Sequence, residues 1–203
     1  MRRVTLLILI CCSAALVAGC RSGPPEVPAS SASAPPNTDR ARFALLDANG
    51  AVAVRLGASF AEVQNAYPMP HGAKELPNAE LPGGFDMLAW VQSNGTRQNP
   101  AQTLIAYFRD GRLVQISHSI APVTSAEATL WSQRYEKSFG EPVVDRQPAR
   151  TIRSYGREQD ACRLRLETIR SGADHRFTAT LVDSAHVKAM QEALRAMRER
   201  KKQ

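Results

Sequence analysis

The stretch Thr103 to Ile120, TLIAYFRDGRLVQISHSI, constrains the fold of this chain more than any other. Two runs rich in β-branched and aromatic residues flank Asp110 and Gly111, a dipeptide suited to a primed two-residue turn with positive φ at both positions. Such a turn commits the runs to an antiparallel hairpin. Read without irregularity it pairs Tyr107 with Val114 and Ile105 with Ile116, so that four apolar residues share one face. The same register sets His118 opposite Thr103, as a hydrogen-bonded residue at the rim of that face.

Around the hairpin a layout of helix and strands recurs. Ala51 to Gly57, AVAVRLG, reads as a short strand ending in a turn glycine. Ser59 and Glu62 then form a capping box, Phe60, Val63 and Tyr67 share a helical face, and Pro68 and Pro70 stop the helix. Asp86 to Gln92 and the hairpin supply three strands. A second capping box, Thr124 with Glu127, opens a helix with Trp131, Tyr135 and Phe139 at four-residue spacing, ended by Gly140 and Pro142. Strands are expected at Thr151 to Gly156, Cys162 to Ile169 and Phe177 to Asp183. Val187, Met190, Leu194 and Met197 mark a closing amphipathic helix. The fold class expected is therefore α+β: tandem units of one helix plus a three-stranded antiparallel sheet, residues 42–122 and 123–203, in two sheets or one continuous sheet, with a C-terminal amphipathic helix.

What precedes residue 42 reads differently. Arg2 and Arg3 are followed by the uncharged segment Val4 to Ala18, which has the layout of an export signal and is short for a bilayer span. The residues Val17, Ala18, Gly19 and Cys20 resemble the lipobox of bacterial lipoproteins. That resemblance implies removal of residues 1–19 and lipid attachment at Cys20. Residues 20–41 then form a tether, dominated by Pro, Ser and Ala, that cannot bury enough surface to offset its ordering entropy. Arg21, in place of an aspartate after the lipidated cysteine, favours the outer membrane over the inner, with the protein facing the periplasm.

Charge and cysteine usage narrow the function classes. The 26 basic and 19 acidic residues give +7, and loss of Arg2 and Arg3 leaves +5. Six basic residues against Glu192 and Glu199 crowd into Lys188 to Gln203, so four of those five charges sit in the tail and the remainder is near neutral. Lys188 with Glu192 and Arg195 with Glu199 are i, i+4 pairs on a solvated helix face, and the dense basic end is Arg198, Arg200, Lys201 and Lys202, a candidate contact for anionic lipid or an acidic partner. A basic face on the folded domain, which nucleic-acid binding requires, is not indicated. With Cys11 and Cys12 in the signal and Cys20 acylated, only Cys162 remains, which excludes an intramolecular disulfide in the mature chain. Cys162 alternates with Leu164 and Leu166, as a buried thiol does, while Arg163, Arg165 and Glu167 take the solvated face.

A family resemblance covers part of the folded segment. Gly57, Val63, the proline-bearing helix end at Tyr67 to Pro70, Trp90, and Phe108, Gly111, Leu113 and Ile116 are similar to the pattern of SmpA/OmlA lipoproteins, the family that includes the BamE component of the β-barrel assembly machinery. Two such units in tandem resemble the architecture of the β-lactamase inhibitor protein. The resemblance implies an outer-membrane lipoprotein that contacts other envelope proteins. In this chain the Pro/Ser tether replaces the family's polar strand after the lipidated cysteine, and Pro68 stands where a helix-end glycine is usual.

The sequence carries no Gly-x-Ser-x-Gly, no His-Glu-x-x-His, no paired cysteines and no phosphate loop, and His71, His118, His175 and His186 are scattered. No cofactor or metal is expected. Asn94-Gly-Thr, though it fits a glycosylation acceptor, reads as a turn. Three function classes stay open: a non-enzymatic envelope lipoprotein that binds or assembles another envelope protein, an inhibitor-like binder of a periplasmic or external enzyme, and an uncharacterised hydrolase. The anchor itself is directly testable. Cys20→Ser is expected to abolish lipid labelling and membrane sedimentation in cell fractionation, and a variant that still carries label and sediments contradicts the lipoprotein reading.

Overall fold

Two capping boxes start the helices where expected, because each satisfies orphan amide groups reciprocally. Ser59 N–H donates to Glu62 Oε2 at 2.6 Å, and Glu62 N–H donates back to Ser59 Oγ at 3.3 Å. The Thr124 and Glu127 pair repeats this at 2.7 and 3.2 Å. The computed structural model describes residues 41–76, 81–157 and 159–200, except the side chains of 197, 198 and 200. The signal segment, Cys20 and the tether up to residue 40 lie outside the described residues, as do Lys201 and Lys202.

Strands β1 (Ala44–Leu46) and β2 (Val52–Arg55) form a two-stranded ribbon ahead of helix α1 (Phe60–Ala66). Then come β3 (Lys74–Leu76), β4 (Phe85–Val91), β5 (Ala101–Arg109) and β6 (Arg112–Val123), helix α2 (Ser125–Phe139), β7 (Val143–Gln147), β8 (Arg150–Tyr155), β9 (Cys162–Ser171), β10 (Asp174–Asp183) and helix α3 (Ser184–Arg200). Strands β3 to β10 make one antiparallel sheet in the order β3-β4-β5-β6-β10-β9-β8-β7.

This corrects the expected fold class. The protein is mostly β, an eight-stranded sheet plus a two-stranded ribbon with three helices, and not a tandem of helix plus three-stranded units. The edge strands β3 and β7 are what three-stranded units omit. All their residues are exposed, so neither leaves an apolar alternation in the sequence. Strand β1 is buried at every position and has no alternation either. Long-range pairing of β6 with β10, from Gln115 opposite Val182 to Val123 opposite His175, joins strands of 42–122 and 123–203 in the same sheet.

The hairpin register also needs a one-residue correction. Asp110 and Gly111 form the turn, with φ of 52° and 70°, and Arg109 faces Arg112 and Phe108 faces Leu113 as a two-residue loop demands. Beyond that a bulge intervenes, so Tyr107 faces Gln115, Ala106 faces Ile116 and Leu104 faces His118. An extra residue in one strand lets Val114 and Gln115 share the space opposite Tyr107. Of the four apolar residues expected on a single face, Ile116 alone turns to the helix-covered core. Val114 and Tyr107 turn to the opposite face, with Ile105 packed beside them.

The two faces bury different partners. On the first, Leu104, Phe108, Leu113, Ile116, Leu164, Leu166, Phe177 and Leu181 pack beneath Val63 and Tyr67 of α1, Tyr135 of α2 and the Phe43 to Leu46 segment. On the second, Met190 and Ala193 of α3 cover Phe85, Tyr107 and Val114. The turn that begins this arrangement tolerates little: a β-branched residue resists positive φ, and Gly111→Val is expected to cost about 1–3 kcal/mol in a denaturant melt. A silent substitution contradicts the hairpin geometry.

Candidate functional site

One cleft stands out on the helix-covered face, between the end of α1 and the start of α2, with a volume of about 560 Å³. That lies within the range of roughly 300–1,000 Å³ common for ligand pockets. Its floor is sheet: Trp90 from β4, Gln102 from β5, and His118, Ile120 and Val123 from β6. Tyr67, Pro68, Met69 and Pro70 wall one side, where prolines end α1 because they cannot continue its hydrogen bonding. Glu127 and Trp131 of α2 wall the other.

The walls are held rigidly. Tyr67 O–H donates to the Leu46 carbonyl at 3.3 Å, while Leu46 N–H donates to Tyr135 Oη at 3.0 Å, so one residue of β1 ties the end of α1 to α2. Burial pushes both tyrosine hydroxyls well above their usual range, which keeps them protonated and able to hold these bonds. Trp131 stacks on Phe177, centroids 5.9 Å apart, with the Arg134 guanidinium 5.3 Å from its ring centre on the indole.

Polar groups within the cleft are few. His118 Nε2 lies 3.1 Å from Gln102 Oε1, and the imidazole sits against the rings of Tyr67 and Trp90 at centroid distances of 4.8 and 6.4 Å. Burial pushes the His118 pKa down to about 4, with no neighbouring carboxylate acting on it. The ring is therefore neutral at pH 7. Asp47 and Glu127 contribute the only ionisable carboxylates of the lining, and no Lys or Arg lines it. Asp47 accepts amide hydrogens from Asn49 and Ala51 in a tight turn, and Glu127 is held below the usual carboxylate range by the Thr124 N–H and hydroxyl. Both stay anionic. The arrangement can bind an apolar group, offer it a hydrogen bond at the floor and favour a cation at the rim.

Several residues singled out in the sequence lie elsewhere. Arg198 and Arg200 fall in the last turn of α3, their side chains outside the description, and Lys201 and Lys202 lie outside the described residues, as does Cys20. Cys162 is buried and its thiol is pushed up to about 11, chiefly by desolvation, so little thiolate exists at neutral pH. His186 Nδ1 lies 3.1 Å from Asp183 Oδ2 at the start of α3. Among the described residues no three His, Cys, Asp or Glu side chains gather as metal ligands, and no helix is long and apolar enough to cross a membrane. Gln102 carried no signal in the sequence, and His118 moved from the rim to the cleft floor because of the bulge. A spacing of three between Leu113 and Ile116, which strict alternation cannot place on one face, was the available clue.

Comparison with family models, curated proteins and solved structures finds no match for this chain.

Neutral burial of His118 has a consequence with a definite sign. An unfolded histidine takes up its proton near pH 6.5, whereas His118 in the fold does so only near 4, so between these values the unfolded chain binds the extra proton. Its contribution to stability is complete above pH 6.5 and is lost as the pH falls toward 4, by at most about 3 kcal/mol. Denaturant melts at several pH values are expected to show this slope in the wild type and a reduced slope in His118→Gln. Equal slopes contradict the assignment.

Proposed function

We propose that this protein is a membrane-anchored envelope lipoprotein, held by lipid on Cys20 at the outer membrane facing the periplasm, that acts as a non-enzymatic binding or assembly module for another envelope protein. The cleft between α1 and α2 is its binding element. It takes an apolar side chain of the partner, flanked by a basic residue that meets Asp47 and Glu127. The observation carrying this reading is the lining itself: Tyr67, Trp90 and Trp131 give aromatic surface, the rim is acidic, and the single polar pair at the floor is His118 with Gln102. Rigid aromatic walls lose little entropy on binding and are frequent at interaction hot spots. A hydrolytic role is less well supported, because the bond recorded for His118 is to an amide and not to an orienting carboxylate. The tether of residues 20–41 gives the module reach from the membrane, and the basic end at Arg198, Arg200, Lys201 and Lys202 adds a salt-sensitive contact with anionic lipid or an acidic partner. The likeness of Val52 to Ile120 to SmpA/OmlA lipoproteins fits this role.

A photoreactive amino acid placed in intact cells tests it. At Met69, half exposed on the cleft wall, it is expected to capture a discrete partner band, and Ala66→Trp, which fills the cleft, is expected to remove that band. The same probe at Leu130, exposed on α2 and outside the lining, should not give it. A band of equal strength from Leu130, or one that survives Ala66→Trp in a folded variant, contradicts the proposal.

A further inference from the structure

A second cavity lies under the N-terminal half of α2, on the same face of the sheet as the aromatic cleft. The face it rests on changes character along the strands. Leu164 and Leu166 of β9 and Phe177 of β10 are core, but the next positions on that face are Thr168 and Arg170 on β9 and His175 on β10, opposite Thr151 and beside Arg153 on β8. Period-two alternation assigns those positions to the interior side, and the sequence fills them with donors. The C-terminal half of α2 covers the apolar part, through Tyr135 and Phe139, whereas Ser125, Ala128, Thr129 and Ser132 of its first two turns roof the polar part. The space between them, open to solvent on one side, is about 260 Å³.

Its charge is one-sided. Arg153, Arg170 and His175 line it together with Arg150, and no Asp or Glu lines it. Arg150 is paired with Glu167 of the opposite face, but among the described residues no ion pair joins Arg153 or Arg170 to a carboxylate. His175 Nδ1 is enclosed without a hydrogen-bond partner. Glu127, the acid of the first turn of α2, lines the aromatic cleft instead, and Glu136 acts on Tyr155 from farther along the helix. Arg153, half-buried, and Arg170, exposed at the mouth, stand without a counter-charge beside the positive end of a helix dipole, an arrangement that stabilises an anion placed between them. The hydroxyls of Thr151 and Thr168, which face each other across β8 and β9, add donors at the floor.

We infer that this cavity binds a phosphate-type oxyanion, with Arg153 and Arg170 as its main ligands and His175 and the two threonines completing the donor set. A fork-shaped guanidinium matches such an anion with paired hydrogen bonds, and the volume admits a phosphate group with room for the group that carries it. The source can be a lipid headgroup or a soluble phosphate ester, since both present the same oxygens.

Titration of the full-length Cys20→Ser chain with inorganic phosphate, followed by NMR at the His175 imidazole and the Arg153 Nε–H at fixed ionic strength, tests this. A saturable shift is expected, weakened about tenfold or more in the Arg153→Gln, Arg170→Gln double variant and partly restored by Arg153→Lys. A thermal melt checks that each variant is folded. In parallel, vesicles of phosphatidylglycerol and of phosphatidylcholine are offered to the same chain. Binding to the phosphatidylglycerol vesicles that phosphate displaces and the double variant loses identifies a headgroup, and saturation by phosphate without vesicle binding identifies a soluble phosphate ester. A phosphate shift that never saturates, or one that is unchanged in the folded double variant, overturns the inference.

Discussion

The bulge in β6 at Val114 and Gln115 is the constraint on which the rest of this structure depends. By placing two residues opposite Tyr107 it shifts the phase of alternation within one strand. Leu113 before it and Ile116 after it then both enter the core beneath the helices, while Val114 is left on the other face to receive α3. The residues from Ile116 to Ile120 follow that phase: His118 and Ile120 turn toward the α1–α2 cleft and Ser117 and Ser119 turn away, until a second irregularity opposite Arg176 returns Val123 to the core side. Ser117 and Ser119 meet Thr180 and Thr178 across β10 in hydroxyl pairs 3.1 and 2.9 Å apart, which closes the centre of the sheet with hydrogen bonds on the side that α1 and α2 do not cover. A register without the bulge would bury these hydroxyls under the helices and expose the imidazole.

With the sheet face set, the backbone of Leu46 fixes what stands on it. Tyr67 and Tyr135 bond its carbonyl and its amide N–H, so one residue of β1 bridges the end of α1 and the body of α2. The gap left between them is the aromatic cleft. Helix α2 thereby separates two cavities of opposite chemistry: Trp131 and Glu127 face an apolar space with an acidic rim, and Ser125, Thr129 and Ser132 face a polar space lined by arginines. On the functional reading proposed above, two such sites on one face would hold a partner's apolar group in the first and an anionic group in the second, and each rests on its own residues and fails or stands separately.

What the sequence made legible was local. The Asp110–Gly111 turn, both capping boxes and the aromatic faces of the helices follow from short-range sterics and hydrogen bonding, which nearby residues decide. The alternation of β9 was also readable, since buried Cys162, Leu164 and Leu166 alternate with Arg163, Arg165 and Glu167, of which Arg165 is exposed and the other two are half-buried. What stayed hidden depends on distant partners. Nothing in Gln115 to Val123 or His175 to Val182 announces that these strands pair, and the exposed edges β3 and β7 carry no periodicity to read. The cleft was visible only as parts: Tyr67 and Trp131 as helix-face aromatics, Trp90 as a strand residue, His118 one register step from its true position, and Gln102 not at all.

Both tryptophans of the chain, Trp90 and Trp131, line the cleft, so its occupancy can be read from intrinsic emission. Titration with the neutral apolar dye N-phenyl-1-naphthylamine, exciting tryptophan and recording energy transfer to the dye, tests whether the cleft accepts an apolar group. The account predicts saturable transfer to a single site, lost when Ala66→Trp fills the space in a protein that still melts cooperatively. Transfer that does not saturate, or that persists unchanged in the filled variant, would contradict it.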